Sequence, residues 1–190
     1  MLKQSASQTV GPFFHIGLID GNEHILTQDA TQGERINIFG YVLDGDSVPV
    51  NDAMIEIWQA DANGIYASPN DPRHAEVDAA FDGFGRSCTT DQGQYSFKTI
   101  KPGRVPYDET QTQAPHILVR VFMRGTLLHA VTRLYFSDEA DANASDPLLN
   151  MLDADVCQRL TAQRTAIEAT PTYHFDIRMQ GDDATPFFEP

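Results

Sequence analysis

The sequence predicts an all-β sandwich. Between residues 35 and 136, short segments alternate apolar and polar side chains with period two, which is the pattern of half-buried strands. Clusters of glycine, asparagine and aspartate separate these segments, and such residues favour tight turns. One segment near the C-terminus carries apolar residues at helical spacing. Many short strands and one short C-terminal helical segment favour a sandwich with long loops over a parallel α/β sheet.

The first strand is predicted at residues 35–43, where Ile36, Ile38 and Val42 share one face. An Asp-Gly pair, which is a strong turn signal, follows it. The second strand is predicted at residues 53–59, where isoleucines alternate with Glu and Trp. An Asn-Gly pair then provides the positive φ that a tight turn requires.

The next four strands are predicted to form two hairpins. Residues 85–90 and 94–100 flank an Asp-Gln-Gly turn and predict the first hairpin. Residues 116–123 and 127–136 flank an Arg-Gly pair and predict the second. A last strand is predicted at residues 172–179, where apolar and aromatic residues alternate with polar ones.

The helical segment is predicted at residues 153–168, because apolar residues recur there at helical spacing after a capping Asp153. Two polar stretches, residues 67–82 and 104–113, are too long for hairpin turns. Loops of that length in a compact domain are usually functional or packed against another element.

Length and composition limit the class of protein. We expect residues 1–190 to form one domain, with residues 1–34 as an extended N-terminal arm. A net charge of −14 argues against nucleic acid and anionic membranes as partners, because phosphates would be repelled. No apolar stretch is free enough of charge to span a membrane, and no secretory signal is visible. Cys88 and Cys157 are expected to be free thiols of a cytoplasmic protein.

Taken alone, the residue chemistry indicates no catalytic site. The six histidines are scattered, and none stands two or four residues from another. The sequence also lacks the motifs of nucleophilic serine hydrolases, nucleotide-binding loops and zinc proteases. On this ground the chain is an acidic, cytoplasmic β-sandwich.

Several motifs connect the chain to a known family. Residues 58–66 read WQADANGIY, and residues 85–103 read GRSCTTDQGQYSFKTIKPG. The first resembles the W-Q-A-x-x-x-G-x-Y segment of intradiol ring-cleaving dioxygenases. The second resembles that family's G-R-x-x-T-D-x-x-G-x-Y-x-F-x-T-I-K-P-G run, with its Thr-Asp pair one place late. Residues 114–117, 133–136 and 173–177 extend the resemblance nearly to the C-terminus, and residues 7–17 are similar to the N-terminus of the non-catalytic α chain of two-chain members.

The resemblance also implies which iron ligands are present. Catalytic chains of the family hold non-haem Fe(III) with two tyrosines and two histidines. Tyr66 and His116 match one position of each kind, whereas the other two are filled by Val105 and Leu118. Valine and leucine cannot coordinate iron. We therefore expect no metal in this chain, with Tyr66 and His116 as remnants, and Fe(III) in a homologous catalytic β chain.

The implied assembly is a higher oligomer of αβ units that cleaves a small aromatic diol, 3,4-dihydroxybenzoate, with O2 in the catabolism of aromatic compounds. Gly11, Pro12 and Phe13 are expected at the mouth of the partner's site. Arg133, on an otherwise apolar strand, is the expected contact for the substrate carboxylate, since burying it unpaired is costly.

Alternatives remain open at this stage. Arg133 fits a structural salt bridge equally well. The chain as a whole fits a self-sufficient catechol or hydroxyquinol dioxygenase, which the missing ligands oppose, or a non-enzymatic β-sandwich binding module.

Overall fold

The computed structural model describes residue 11 and residues 13–165 and 169–189. In chain order the elements are α1 (Phe13–Leu18), β1 (Arg35–Leu43), β2 (Met54–Trp58), a 3-10 turn (His74–Glu76), β3 (Phe84–Cys88), β4 (Gln94–Ile100), β5 (His116–Phe122), β6 (Ala130–Phe136), α2 (Ala140–Ala144), a second 3-10 turn (Leu149–Met151), α3 (Ala154–Arg159), β7 (Thr161–Thr165), β8 (Thr172–His174) and β9 (Ile177–Arg178). Among these residues no helix is long and apolar enough to cross a membrane.

The strands form one continuous sheet in the order β3-β2-β5-β6-β7-β8-β1-β4, with β9 paired to β1. The first four strands are antiparallel neighbours. Strand β7 then runs parallel to β6 and antiparallel to β8, so it joins the two halves of the sheet. The two halves face each other across a shared apolar core, which is the arrangement of a β-sandwich.

The alternation in the sequence sets the core. Strand β1 alternates buried and half-buried residues along its whole length, and its Ile36 and Ile38 pack with Phe97 from the neighbouring β4. Ile57 and Val119 from the other half of the sheet belong to the same core cluster. The predicted all-β sandwich is therefore confirmed, and Cys88 and Cys157 are free, as expected.

The first predicted hairpin is wrong. Strands β3 and β4 are joined by the expected turn, in which Gly93 has φ of +74°, but β3 pairs with β2 and β4 pairs with β1. The chain crosses from one half of the sandwich to the other at this turn. The second predicted hairpin, β5 with β6, is confirmed.

The helical prediction is too long, and the last strand is divided. Helix α3 ends at Arg159 instead of residue 168, and Thr161–Thr165 form β7 because they find partners on β6 and β8. Residues 166–168 lie outside the described part of the chain. The predicted strand 172–179 breaks between β8 and β9, where the Phe175 carbonyl lies 1.8 Å from the place a Cβ on Gly40 would take. Two short helices, α1 and α2, were not predicted.

Candidate functional site

The register of the sheet places two of the predicted ligand positions, His116 and Leu118, beside Arg133. Trp58, Leu118 and Arg133 lie opposite one another on β2, β5 and β6, so their side chains share one face. His116 lies opposite Tyr135 in the next row of that face. The alternate residues Ile57, Val119 and Leu134 point into the core. The face that carries the candidate site is thus the outer face of the β3-β2-β5-β6 half.

A cleft of about 360 Å³ lies beside this row. Its apolar side consists of Trp58, Tyr66 and Val105, with the Trp58 and Tyr66 rings stacked at 5.8 Å. Its polar side comes from the loop of residues 67–82, including Asp71 and Arg73. The long loop is therefore packed against another part of the domain, as its length predicted, and it encloses one side of the cleft.

The turn after β2 fixes the cleft wall. The buried Asp61 carboxylate accepts hydrogen bonds of 2.9 Å from the amides of Asn63 and Ile65 and of 3.0 Å from that of Asp78. It thereby ties the turn before Tyr66 to the end of the long loop. These contacts give the aspartate of the WQADANGIY motif a structural role that the motif alone does not disclose.

Gly64 allows the segment around Arg104, which forms another wall of the cleft, to pass close to the turn. It has φ of +75°, and the Arg104 carbonyl oxygen lies 1.9 Å from the place a Cβ would take. A side chain is excluded there by both backbone conformation and space. The close passage of residue 104 brings the buried Val105 into the cleft that Tyr66 lines.

Loop residue Asp71 is held in an ionised state. Its carboxylate accepts bonds from the Tyr66 amide at 3.1 Å and from the Arg73 amide at 2.9 Å, and it pairs with the Arg73 guanidinium at 3.1 Å. Burial raises the pKa of Asp71, but these bonds outweigh burial and lower it. Arg73 also donates to the Gly64 carbonyl at 2.6 Å. These bonds fix the loop to the Tyr66 amide and to the Gly64 carbonyl.

Arg133 lies on β6, opposite Leu118. One of its nitrogens, Nη1, donates to Gln113 Oε1 at 2.7 Å and to the Tyr135 hydroxyl at 3.3 Å. Within the described part of the chain no Asp or Glu oxygen lies within 4.0 Å of the guanidinium. The structural salt bridge that the sequence left open is therefore not formed by these residues.

The groups around Arg133 are uncharged at neutral pH. Burial and the Arg133 charge lower the pKa of His116 to about 4. Burial raises the pKa of Tyr66 although Arg133 opposes this change, and burial raises the pKa of Tyr135 to about 12. His116 contacts the Ala114 carbonyl through Nδ1 at 2.8 Å. Arg133 is consequently the cation among two phenols and a neutral imidazole.

These residues do not fit a ferric ion. Val105 and Leu118 have no donor atom, so two of the four ligand positions cannot bind iron. Tyr107, the one nearby tyrosine that sequence position suggests as a substitute, is 52% exposed and does not line the cleft. In the described ranges, no group of three His, Cys, Asp or Glu side chains is arranged to hold a metal ion. Two of the four ligands are therefore absent where the resemblance requires them.

The predicted substrate contacts are only partly brought together. Gly11 precedes α1, Phe13 begins it, and Pro12 lies outside the described residues. Phe14 of α1 stacks on Phe122 at 5.8 Å, which places α1 on the same outer face as Arg133. Phe122 is four residues from the Arg133 row, about 13 Å along a strand.

Sequence reasoning missed Gln113 and Tyr135, the two partners of Arg133. The period-two rule places Tyr135 on the face of Arg133, so its part in the site was within reach of the pattern. Gln113 ends a long loop, and its side-chain direction has no signal in the sequence.

Known proteins resemble this chain along its whole length. A family model described as "Dioxygenase" matches residues 10–181. The protocatechuate 3,4-dioxygenase alpha chain of Burkholderia cepacia is 42% identical over 99% of this chain and 98% of that protein. The protocatechuate 3,4-dioxygenase beta chain of Burkholderia cepacia is 32% identical over 97% of this chain and 83% of that protein.

A solved structure shows the same fold. The dioxygenase domain of a dioxygenase and carbohydrate-binding protein fusion from Streptomyces sp. SirexAA-E aligns with a TM-score of 0.62 at 24% identity, covering 82% of this chain and 85% of that one. This structural similarity shows the fold. The family match and the full-length relatives show the family to which the chain belongs. The chain belongs to the intradiol dioxygenase family, whose members depend in general on non-haem iron.

Proposed function

We propose that this chain is the α chain of a protocatechuate 3,4-dioxygenase and acts in complex with a homologous β chain. The assembled enzyme breaks the bond between the two hydroxyl-bearing carbons of 3,4-dihydroxybenzoate (protocatechuate). Both atoms of O2 enter the product, 3-carboxy-cis,cis-muconate, so no external reductant is needed. The ferric ion belongs to the β chain and supplies the activation of the diol there.

One observation carries this proposal: the family's four ligand positions lack half of their metal donors. Tyr66 and His116 are present, whereas Val105 and Leu118 replace the other two ligands. A catalytic chain cannot lose two ligands, but a chain that supports a catalytic homologue can. The 42% identity to an α chain over nearly all of both proteins supports the same assignment.

The outer face of the β3-β2-β5-β6 half is where we place the β chain. Trp58, Phe84 and Leu118 line a second groove there, of about 270 Å³, and Phe84 is 37% exposed. The face also carries the stacked Phe14 and Phe122. Aromatic residues of this kind are enriched at protein interfaces. We expect an obligate interface of roughly 2,000 Å² or more, repeated in a higher oligomer of αβ units.

This chain's contribution to the substrate is Arg133, together with Gly11, Pro12 and Phe13 of the arm. Arg133 Nη1 is engaged by Gln113 and Tyr135, while Nε and Nη2 have no hydrogen-bond partner in the described structure. Those two nitrogens form the edge of a guanidinium that binds a carboxylate with two parallel bonds. The carboxylate of 3,4-dihydroxybenzoate, which lies far from the reacting carbons, is the expected anion.

Co-expression tests the assembly. We expect the chain purified alone to be inactive on protocatechuate, and to co-purify with a homologous β chain as a complex that holds one iron per αβ unit and cleaves the substrate. Activity and one iron per chain in the absence of β would contradict the proposal, as would a monomer with no affinity for β.

Replacing Arg133 tests the substrate contact. In the complex, Arg133→Leu should raise KM for protocatechuate by roughly 10- to 100-fold, since a charge-assisted bond contributes about 1.5–3 kcal/mol and about 1.4 kcal/mol corresponds to tenfold. The contact binds ground state and transition state alike, so kcat should change little. Unsubstituted catechol is the matched control because it has no carboxylate. An equal effect on both substrates, or loss of assembly, refutes the contact.

A further inference from the structure

The position of Arg133 bears on the metal as well as on the substrate. In the strand register it lies directly opposite Leu118, a lost ligand position, and one row from His116, a retained one. Trp58, on the other side of Leu118, stacks on Tyr66. A guanidinium thus lies among the ligand positions of the family's metal site.

Two contacts hold the guanidinium in place. Gln113 Oε1 and the Tyr135 hydroxyl accept from Nη1 at 2.7 and 3.3 Å. Arg133 influences the pKa values of Tyr66, His116 and Tyr135, which supports the closeness that the register indicates. An arginine cannot be deprotonated in a protein, so this cation is permanent.

The positive charge is not cancelled by a direct ion pair. Among the described carboxylates none lies within 4.0 Å of it. Asp146 acts on His116 and Tyr135 through space, but its oxygens are occupied by the amides of Ala114, Leu148 and Leu149. Asp71, a carboxylate that lines the cleft, is already paired with Arg73. A metal ion at the ligand position of Leu118 would lie opposite Arg133 in the strand register, and like charges repel each other.

We propose that Arg133 takes the place of the metal ion in this chain and excludes it, so that the lost ligands are only one of two barriers to iron. The inference rests on the proposed function, in which the chain is an iron-free member of the family. It predicts that restoring the ligands alone does not restore the metal.

Four full-length proteins test this. The first is the unaltered chain. The second carries Val105→Tyr and Leu118→His, which complete the family's four ligands. The third adds Arg133→Met to this pair. The fourth carries the two restored ligands together with Arg120→Met in place of Arg133→Met. Arg120 lies on β5 opposite Glu56, so this control removes one positive charge from the same outer face of the sheet. Iron per chain is measured by elemental analysis after loading and desalting, together with the tyrosinate-to-iron absorption.

We expect one iron per chain, with the absorption band, in the Arg133→Met protein only. The ligand-restored protein and the Arg120→Met control should bind iron at least tenfold more weakly. Equal iron in the second and third proteins, or none in any of them, overturns the role of Arg133. Iron in the unaltered chain overturns the proposed function instead, so the two failures are distinguishable.

A single substitution covers the case in which the triple variant does not fold. Arg133→His leaves Tyr66 and His116 in place, removes the permanent cation and adds a donor. Titration with Co(II) should then give the visible absorption of a protein-bound ion, and Arg120→His and the unaltered chain should give none. Absence of binding by Arg133→His, or equal binding by all three, contradicts the proposal.

Discussion

Replacing Gly64 with alanine should damage the cleft and the stability of the whole domain. An alanine Cβ at this position would lie 1.9 Å from the Arg104 carbonyl oxygen, whereas real Cβ contacts essentially never fall below 3.0 Å. Backbone must therefore move by about 1 Å, and the wall of the cleft that bears Val105 must move with it. The left-handed φ of +75° adds strain for any residue with a side chain.

The cost follows from these two effects. A left-handed alanine costs roughly 1–2 kcal/mol, and forcing an atom into packed structure costs typically about 1–3 kcal/mol. We expect Gly64→Ala to lose about 3 kcal/mol of unfolding free energy. For a chain of this length that loss lowers Tm by about 6–12 °C. Thermal and urea unfolding followed by circular dichroism measure both quantities.

Gly125→Ala is the matched control. Gly125 has φ of +85°, but nothing lies within 4 Å of the place its Cβ would take. The conformational strain and the unfolded-state effect of alanine are therefore shared, and the difference between the variants isolates the overlap with Arg104. If Gly64→Ala unfolds within about 2 °C of Gly125→Ala, the argument from close approach is refuted.

Three further outcomes are expected. Asp138→Asn should cost about 1 kcal/mol, because Asp138 bonds Lys101 at 2.9 Å and Arg164 at 3.0 Å at a partly exposed site. Burial raises the pKa of Asp138, but the bonds from Lys101 and Tyr173 together with the Lys101 charge outweigh it, so the pKa is lowered. The stabilisation is therefore present above the ordinary Asp value of 3.8 and is lost as pH falls below it, and the Tm curves of both proteins should converge there. The unaltered chain, purified alone, should show no stoichiometric iron by elemental analysis and no tyrosinate-to-iron band. Leu118→His alone should leave both results unchanged, since Arg133 and Val105 remain.

Much of the sandwich was predictable because the alternation of apolar and polar residues within a short segment identifies a strand. The alternation in residues 35–43 and 94–100 gave β1 and β4 with correct bounds. Pairing was harder, because the turn at Gly93 has the same chemistry whether it closes a hairpin or passes between the halves of a sandwich. The segment after Arg159 was misassigned for a related reason: Thr161–Thr165 become a strand through partners that lie far away in sequence.

The site divides in the same way. Tyr66, Val105, His116 and Leu118 were located by motif position. In the structure Tyr66 and Val105 line the cleft, and His116 and Leu118 lie on β5. The surroundings that give them their present character were not visible, because they depend on tertiary contacts. The Gln113 amide reaches Arg133 across 20 residues of sequence, and the neutrality of His116 arises from burial beside that arginine.

The order of the strands has a consequence for how the chain is made. Strand β1, near the N-terminus, lies between β4 and β8, and Asn37 meets Thr172 although 135 residues separate them. During synthesis this edge of β1 therefore stays open until residues 172–174 have emerged from the ribosome. An open edge can pair with the wrong chain, and such distant contacts make folding slow. A nascent chain of this protein depends on β8 for protection from aggregation, so truncation before residue 172 should yield insoluble product.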